Sequence, residues 1–347
     1  VRTSDVYLKG LGVFLPQTVS VEQAVRRGLY PRDEVEAHDL GGAAVAGMIS
    51  APEMALAAAQ EAFKRCGQRP EDTDLILYAD SWHQGPDGWQ PQFFIQRNLG
   101  CDRALGIEIR QGCNGMFGAL ELAASYLRAV PERESALLVA SDNFGTPLID
   151  RWRTGAGFIL GDAACAVLLG REPGFAQLLS VCTTTVPEAE EVHRSGEALF
   201  PPGCLVGRDL DLAGRGESFN AKAMAETGST AVWDRVYQTV PDVIGRNLAE
   251  AGITIDDVSR IAVMNFSREI IENRYLAMLG LPLSRSTWDF GRTVGHIGAS
   301  DQVVSLDHLL TAGEIGAGDH VLLFGLGPGM TACSAVVRIL HRPSWLG

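Results

Sequence analysis

GQRPEDTDLILYAD, residues 67–80, and GITIDDVSRIAVMN, residues 252–265, share one construction. Each follows a helical, alanine-bearing segment, and each gives a glycine, an acidic helix-start pattern and then an apolar strand. The offset of 185 residues pairs Gly67 with Gly252 and Asp80 with Asn265. The correspondence extends outward. GCNGMFGALELAASYL from Gly112 matches GHIGASDQVVSLDHLL from Gly295, each reading as a tight glycine turn that opens a helix. ESALLVASD (134–142) parallels DHVLLFGLG (319–327), and GDAACAVLLG (161–170) parallels GMTACSAVVR (329–338), as short buried strands. Alanine-rich helices at 52–66 and 116–130 are expected between layers, where small side chains permit close packing.

The chain therefore reads as an α/β protein of two halves related by an internal pseudo-twofold, each with a mostly buried sheet covered by helices. The halves are placed at 1–182 and 236–347. Between them, 183–235 is polar, glycine-bearing and weakly periodic, an excursion of the kind that shapes a substrate entrance. A second excursion, SWHQGPDGWQPQFFIQRNLG (81–100), carries two tryptophans and a Phe-Phe pair, suited to a subunit contact or a pocket wall.

Composition bounds the function. Hydrophobic residues make up 46% and charged residues 20% of 347, which excludes a disordered chain or a fibre. A net charge of −13 argues against binding nucleic acid through a broad basic face. No apolar run approaches the length of a membrane span, and VRTSDVYLKG at the start has polar residues where a signal peptide needs an apolar core. A cytoplasmic location without membrane contact is expected. Seven cysteines, none in a CxxC pair, fit reduced thiols better than a disulfide framework or zinc cage. No HExxH and no clustered Cys/His spacing points to a catalytic metal.

The paired glycine turns carry the chemistry. The repeat superposes Cys113 on His296, each after a glycine at a helix start. A helix N-terminus favours a thiolate, and a neighbouring imidazole holds it as an ion pair. Equivalent elements of a pseudo-twofold face each other near the axis, so the two residues are expected to meet. Such a pair needs an orienter for the imidazole. Asp301, in the first turns of the same helix, is one candidate. Asn265, at the end of its strand, is the other, with a role at a thioester carbonyl as its alternative. The oxyanion of acyl transfer is expected at the backbone N–H of Cys113 and a second N–H from the GLGPG turn (325–329), at Gly327. His38, His193, His308, His320 and His341 read as surface or structural residues. His83 stands apart, in the aromatic excursion close to strand-end Asp80.

As a set, GLGVFLPQ (10–17), the turn at Cys113, RTGAGFILGDAACAVLL (153–169), the strand ending at Asn265, the turn at Gly295 and GLGPG resemble the beta-ketoacyl-acyl carrier protein synthase III-like members of the thiolase superfamily, over nearly the full chain. The resemblance implies a thiolase-like fold in αβαβα layers and a homodimer. Condensing members use Cys, His and Asn. Here Asn265 stands where their His is expected and His296 where their Asn is expected. The GHIGASDQ turn is similar to that of a subgroup of acyltransferases in secondary metabolism, of polyketide and antibiotic type, with a Cys–His–Asp triad.

That subgroup implies transfer of an acyl group from an acyl carrier protein or coenzyme A thioester, through acyl-Cys113, to a hydroxyl, an amine or a carrier thiol. His296 is then the base, Asp301 its support, and Asn265 a contact to the acyl or acceptor carbonyl. The alternative is a decarboxylative condensing synthase. No tightly bound cofactor is implied; the phosphopantetheine thioester is the donor substrate. Arg153 matches the family arginine near the coenzyme A phosphates. The family tryptophan over the adenine has no match in GLYPRDEVEAHDLGG (28–42), which favours a carrier protein, met by a rim drawn from Arg27, Arg32, Arg151, Arg215 and Arg235.

Overall fold

The computed structural model describes residues 1–347, apart from the side chain of Ser4. In chain order the first half contains β1 (Arg2–Phe14), β2 (Thr18–Ser20), α1 (Val21–Arg26), α2 (Glu34–His38), β3 (Gly42–Ala44), α3 (Ala51–Cys66), β4 (Leu75–Ala79), α4 (Pro91–Leu99), β5 (Leu105–Ile109), α5 (Gly115–Ala129), β6 (Ser135–Asp142) and β7 (Ala163–Gly170). Then follow β8 (Ala176–Thr185), α6 (Leu212–Thr227), α7 (Val232–Ala251), β9 (Val258–Ala262), α8 (Trp288–Val294), α9 (Asp301–Thr311), β10 (His320–Gly327) and β11 (Thr331–Ile339).

Nine strands form one sheet in the order β5-β4-β6-β7-β1-β8-β11-β10-β9, and β2 pairs with β3 apart from it. The order is symmetric about the antiparallel β1–β8 contact. Outward from it, β7, β6 and β4 on one side answer β11, β10 and β9 on the other. The segments that match in sequence are therefore the ones that match in place. The second half has no full counterpart to β5; a single parallel bridge, Ile261 to Ser286, stands there.

Alternation along each strand builds the layers. On β4, Leu75, Leu77 and Ala79 join α5 and α9 in a central core, whereas Ile76 and Tyr78 face α3. On β10, Val321 and Leu323 face the central helices, and Leu322 and Phe324 face α7. Strands buried on both faces need continuous apolar sequence, which is why LILYA and ALLVA lack polar alternation. The sheet thus wraps round α5 and α9, with α3 and α4 outside one half and α7 outside the other, in five α/β layers.

Of the two alanine-rich helices expected between layers, α5 lies there. The other, α3, covers the outer face of the first half. Its alanines serve a different close approach: Ala51, Ala55, Ala58, Ala59 and Ala62 are fully buried against β1, β6 and β7. A Cβ on Gly12 would overlap the carbonyl oxygen of Ala58. Residues 183–235 contain the end of β8, a 3-10 segment Pro187–His193 and the 16-residue α6, a helix that the weak periodicity did not indicate. Among the described residues no helix is long and apolar enough to cross a membrane. All seven cysteines are free thiols.

Gly12→Ala is expected to destabilise the fold by about 2–4 kcal/mol, because backbone rather than a flexible side chain must yield. Gly245→Ala, on the exposed face of α7 where a Cβ meets nothing within 4 Å, is expected to stabilise by about 0.5–1 kcal/mol. Chemical denaturation midpoints of the two variants measure both.

Candidate active site

The turn between β5 and α5 sets the nucleophile. Gly112 has φ of +54°, and a Cβ there would sit 2.8 Å from the Pro328 ring, so glycine is required both by conformation and by space. Cys113 then lies at the head of α5, partly buried. Asn114 behind it uses its amide to donate to the Thr331 carbonyl at 2.6 Å. Its side chain abuts Gly327, where a Cβ would come within 2.9 Å of Nδ2. The GLGPG turn is thereby brought against the Cys113 turn, and Gly327 and Cys113 line the same cleft.

The turn after α8 sets the imidazole. Gly295 has φ of +79°. The His296 N–H donates to Ile159 at 2.7 Å and its carbonyl accepts from Gly161 N–H at 2.9 Å. The backbone of His296 is thus stitched to the FILGD stretch of the first half. A Cβ on Gly161 would overlap the Val294 carbonyl, so the glycine of that stretch permits the approach.

Cys113 Sγ lies 2.8 Å from His296 Nε2, and His296 Nδ1 lies 2.6 Å from Asp301 Oδ2. Asp301 is fully buried. Its Oδ2 also accepts the Asn265 N–H at 3.0 Å, and its Oδ1 accepts the Ile297 N–H at 2.8 Å. Phe158 and Phe266 stack on each other and both present edges to the His296 ring, at 5.5 and 5.0 Å. Burial by these rings pulls the imidazole towards the neutral form. The opposing fields of Asp301 and Cys113, with their hydrogen bonds, outweigh it and hold His296 well above the usual histidine range.

Asn265 is engaged within its own half. Its amide Nδ2 donates to the Gly295 carbonyl at 2.8 Å, and its Oδ1 packs so closely on Gly291 that a Cβ there would overlap it. The side chain lies outside the cleft lining. What Asn265 offers the triad is its backbone N–H on Asp301. Arg153 is also outside the cleft lining. It is about half exposed, donates to the Gly28 carbonyl at 2.9 Å and lies 3.6 Å from Asp150. Arg151 does not belong to a rim: it is buried in a bidentate pair with Asp162 at 2.9 and 3.0 Å. Arg215 does reach the cleft wall, ion-paired with Glu197.

Several wall residues escaped sequence reasoning. The cleft, a cavity of about 590 Å³, is walled by Phe158, Phe266 and Trp233, with Arg110, Arg274 and His193 among them. His193 was expected at the surface or in a structural role. Burial, with Arg215 adding to it, pushes its pKa down to about 4, so it is a neutral imidazole in the wall. The excursion 183–235 supplies Val192, His193, Leu212, Arg215 and Asn220 to this wall. The only available signal was the adjacency of Asn265 and Phe266, since neighbouring residues leaving a strand point opposite ways.

With this geometry in place, comparison with known proteins is specific. The model of the 3-oxoacyl-[acyl-carrier-protein] synthase III family matches residues 107–186, and that of its C-terminal region matches 248–339. The chain belongs to this synthase III-like family of the thiolase superfamily, whose enzymes work through a cysteine thioester. ChlB3, an acyltransferase of known structure, is 56% identical over 98% of this chain and 99% of its own, with a TM-score of 0.94. The 3-oxoacyl-(acyl carrier protein) synthase III of Pseudomonas aeruginosa shares the fold at 22% identity, with a TM-score of 0.78 over 97% of this chain and 99% of that one. The beta-ketoacyl-[acyl-carrier-protein] synthase III of Synechocystis is 28% identical over 81% of each chain.

A His296 pKa raised above its unfolded value of about 6.5 has a definite sign. The bound proton adds stability fully below that value, and the contribution is lost as pH rises through the folded value. The imidazolium accordingly persists through neutrality. The His296 ring, followed by NMR of the labelled imidazole in the native protein, is expected to titrate above the ordinary histidine range. In Asp301→Asn that titration is expected to move down, because the charge and hydrogen bond of Asp301 that raise it are weakened. A native His296 titration at or below the ordinary histidine range would mean that burial outweighs the two counter-charges.

Proposed function

We propose that the protein is an acyltransferase that moves an acyl group from a phosphopantetheine thioester, through acyl-Cys113, to a hydroxyl, amine or carrier-thiol acceptor in secondary metabolism. The observation that carries this reading is the single imidazole on Cys113, backed by Asp301, with the Asn265 amide donated to the Gly295 carbonyl. A decarboxylative condensation needs two side chains aimed at the thioester carbonyl to hold the enolate. With Asn265 tied to Gly295, the exchanged pair leaves only His296 at the sulfur.

The cycle balances with these residues alone. The Cys113 thiolate adds to the thioester carbonyl, and the oxyanion is held by the N–H groups of Cys113 and Gly327. The carbon–sulfur bond to the donor breaks, and the departing thiolate takes the His296 Nε2 proton. The acceptor then enters. Neutral His296 takes its proton as it adds to the acyl-Cys113 carbonyl, and collapse returns the Cys113 thiolate opposite imidazolium. Phe158 and Phe266 exclude water from the imidazole, which favours transfer over hydrolysis. The cleft volume and aromatic wall suit a short aliphatic or compact aromatic acyl group.

A carrier protein is the favoured donor, because the adenine-stacking tryptophan has no counterpart in 28–42 and Arg153 is engaged with Gly28 and Asp150. A homodimer fits the free edge of the sheet: β5 ends the strand order, and Leu105 and Ile107 on it are 49% and 42% exposed, a paired-edge geometry that an isolated soluble chain avoids.

Incubation with an acyl-carrier thioester is expected to add one acyl mass to Cys113, and His296→Ala is expected to slow transfer to acceptor by about 10²–10⁴-fold. Malonyl thioester is expected to release no carbon dioxide. Stoichiometric release with a two-carbon-extended product would establish condensation instead.

A further inference from the structure

The sheet edge beside the cleft holds a group of side chains that acyl transfer does not use. Asp80 follows β4, Glu108 lies on β5, and His83 stands in the loop after Asp80. One potential ligand atom from each lies within 4.8 Å of the other two, and His83 Nδ1 is 3.6 Å from Glu108 Oε1. Asp80 is fully buried, and neither of its carboxylate oxygens has a hydrogen-bond partner among the described residues. Buried carboxylates normally collect donors, because an uncompensated one is strongly disfavoured. Asp301 and Asp162 in the same protein illustrate the rule: every oxygen of each accepts at least one N–H.

The deficit of donors continues beneath Asp80. Asp142 Oδ2, Ser81 Oγ and Tyr78 Oη are also buried without partners. Neither Arg110 nor His83 donates to either Asp80 oxygen. Asp80 is thus buried without donors, and one of its oxygens lies within 4.8 Å of a ligand atom of both His83 and Glu108.

We propose that Asp80, His83 and Glu108 bind one first-row divalent cation of the zinc class at the β4–β5 edge. One imidazole and two carboxylates are a zinc-type donor set, whereas calcium and magnesium prefer oxygen alone. Binding requires the ligand atoms to close to roughly 3–3.5 Å from one another, as ligands about 2.0–2.2 Å from a tetrahedral zinc must. Asp80 is fixed by burial; His83 and Glu108 are partly exposed and free to close on it. The role is one of position. Ser81 and Trp82, which line the cleft, lie between two ligands in sequence, and β5 leads from Glu108 directly into the Gly112 turn. A cation here clamps a cleft wall to the strand that carries Cys113.

The test uses the chelator-stripped full chain carrying Cys113→Ala, so that zinc does not bind the Cys113–His296 pair. Calorimetric titration with Zn²⁺ is expected to give one ion per chain, with a rise in melting temperature. His83→Ala and Asp80→Asn are each expected to weaken binding by about 100-fold or more. His83 is partly exposed and Asp80→Asn is isosteric, and melting of the metal-free variants checks their folding. Absence of Zn²⁺ binding at about 100 µM, a concentration far above that of structural zinc affinities, would overturn the proposal. So would binding that survives both substitutions, as at the exposed Cys204, or a preference for Mg²⁺ or Ca²⁺.

Discussion

Asp301 is the constraint on which the site depends. A carboxylate buried this completely is destabilising unless its charge is met. Three donors meet it, and they come from two pieces of chain. Asn265 N–H comes from the end of β9, Ile297 N–H from the turn ahead of α9, and His296 Nδ1 from the ring that Asp301 orients. The ring in turn reaches Cys113, which α5 contributes from the other half. Removing any of these elements leaves a buried charge or an unanchored imidazole. The seam between the halves is held by the chemistry it houses as well as by apolar packing, and the backbone bonds of His296 to Ile159 and Gly161 add a second stitch across it.

The fold was legible because its repeat is written in features with few alternative meanings. Strands buried on both faces must be continuously apolar, and positive-φ turns at Gly112 and Gly295 must be glycine. Both survive in the two halves although other residues have diverged. The pairing of Cys113 with His296 followed from superposing those turns, and Asp301 from its place at the start of the helix, five residues after His296. What was hidden depends on direction. Asn265 and Phe266 are adjacent, and the reading assigned to the cleft the one that packs on Gly291. The cleft wall was hidden for another reason: Phe158, His193, Trp233 and Arg274 come from separate segments with no shared period. Arg151 and Asp162 were hidden because a buried bidentate pair and a solvated rim arginine look alike in sequence.

The unequal treatment of acids across the molecule follows the same physics. Where a carboxylate is built into the structure, as at Asp301 and Asp162, backbone N–H groups converge on it. Asp142 is intermediate: its Oδ1 accepts two N–H groups, from Ser81 and Trp82, and its Oδ2 none. Asp80 has no donor. This gradient runs towards the β5 edge, the side of the sheet where backbone partners end.

In the proposed cycle the same triad serves as acid and as base because its charge changes when it reacts. In the resting pair, burial disfavours imidazolium, while Asp301 and the Cys113 thiolate favour it more strongly. Acylation turns the thiolate into a neutral thioester and removes one of the two supporting charges. Asp301 remains, and so does the pull of Phe158 and Phe266 towards the neutral ring. The proton therefore leaves with the donor thiol at the step that consumes the thiolate, and the imidazole is neutral when the acceptor arrives. When the acceptor gives up its proton and Cys113 is expelled as thiolate, the supporting charge returns as the imidazolium re-forms. A buried ring with one permanent and one reversible counter-charge needs no second side chain for the exchange of roles. That is consistent with an Asn265 whose amide is spent on the turn rather than on the substrate.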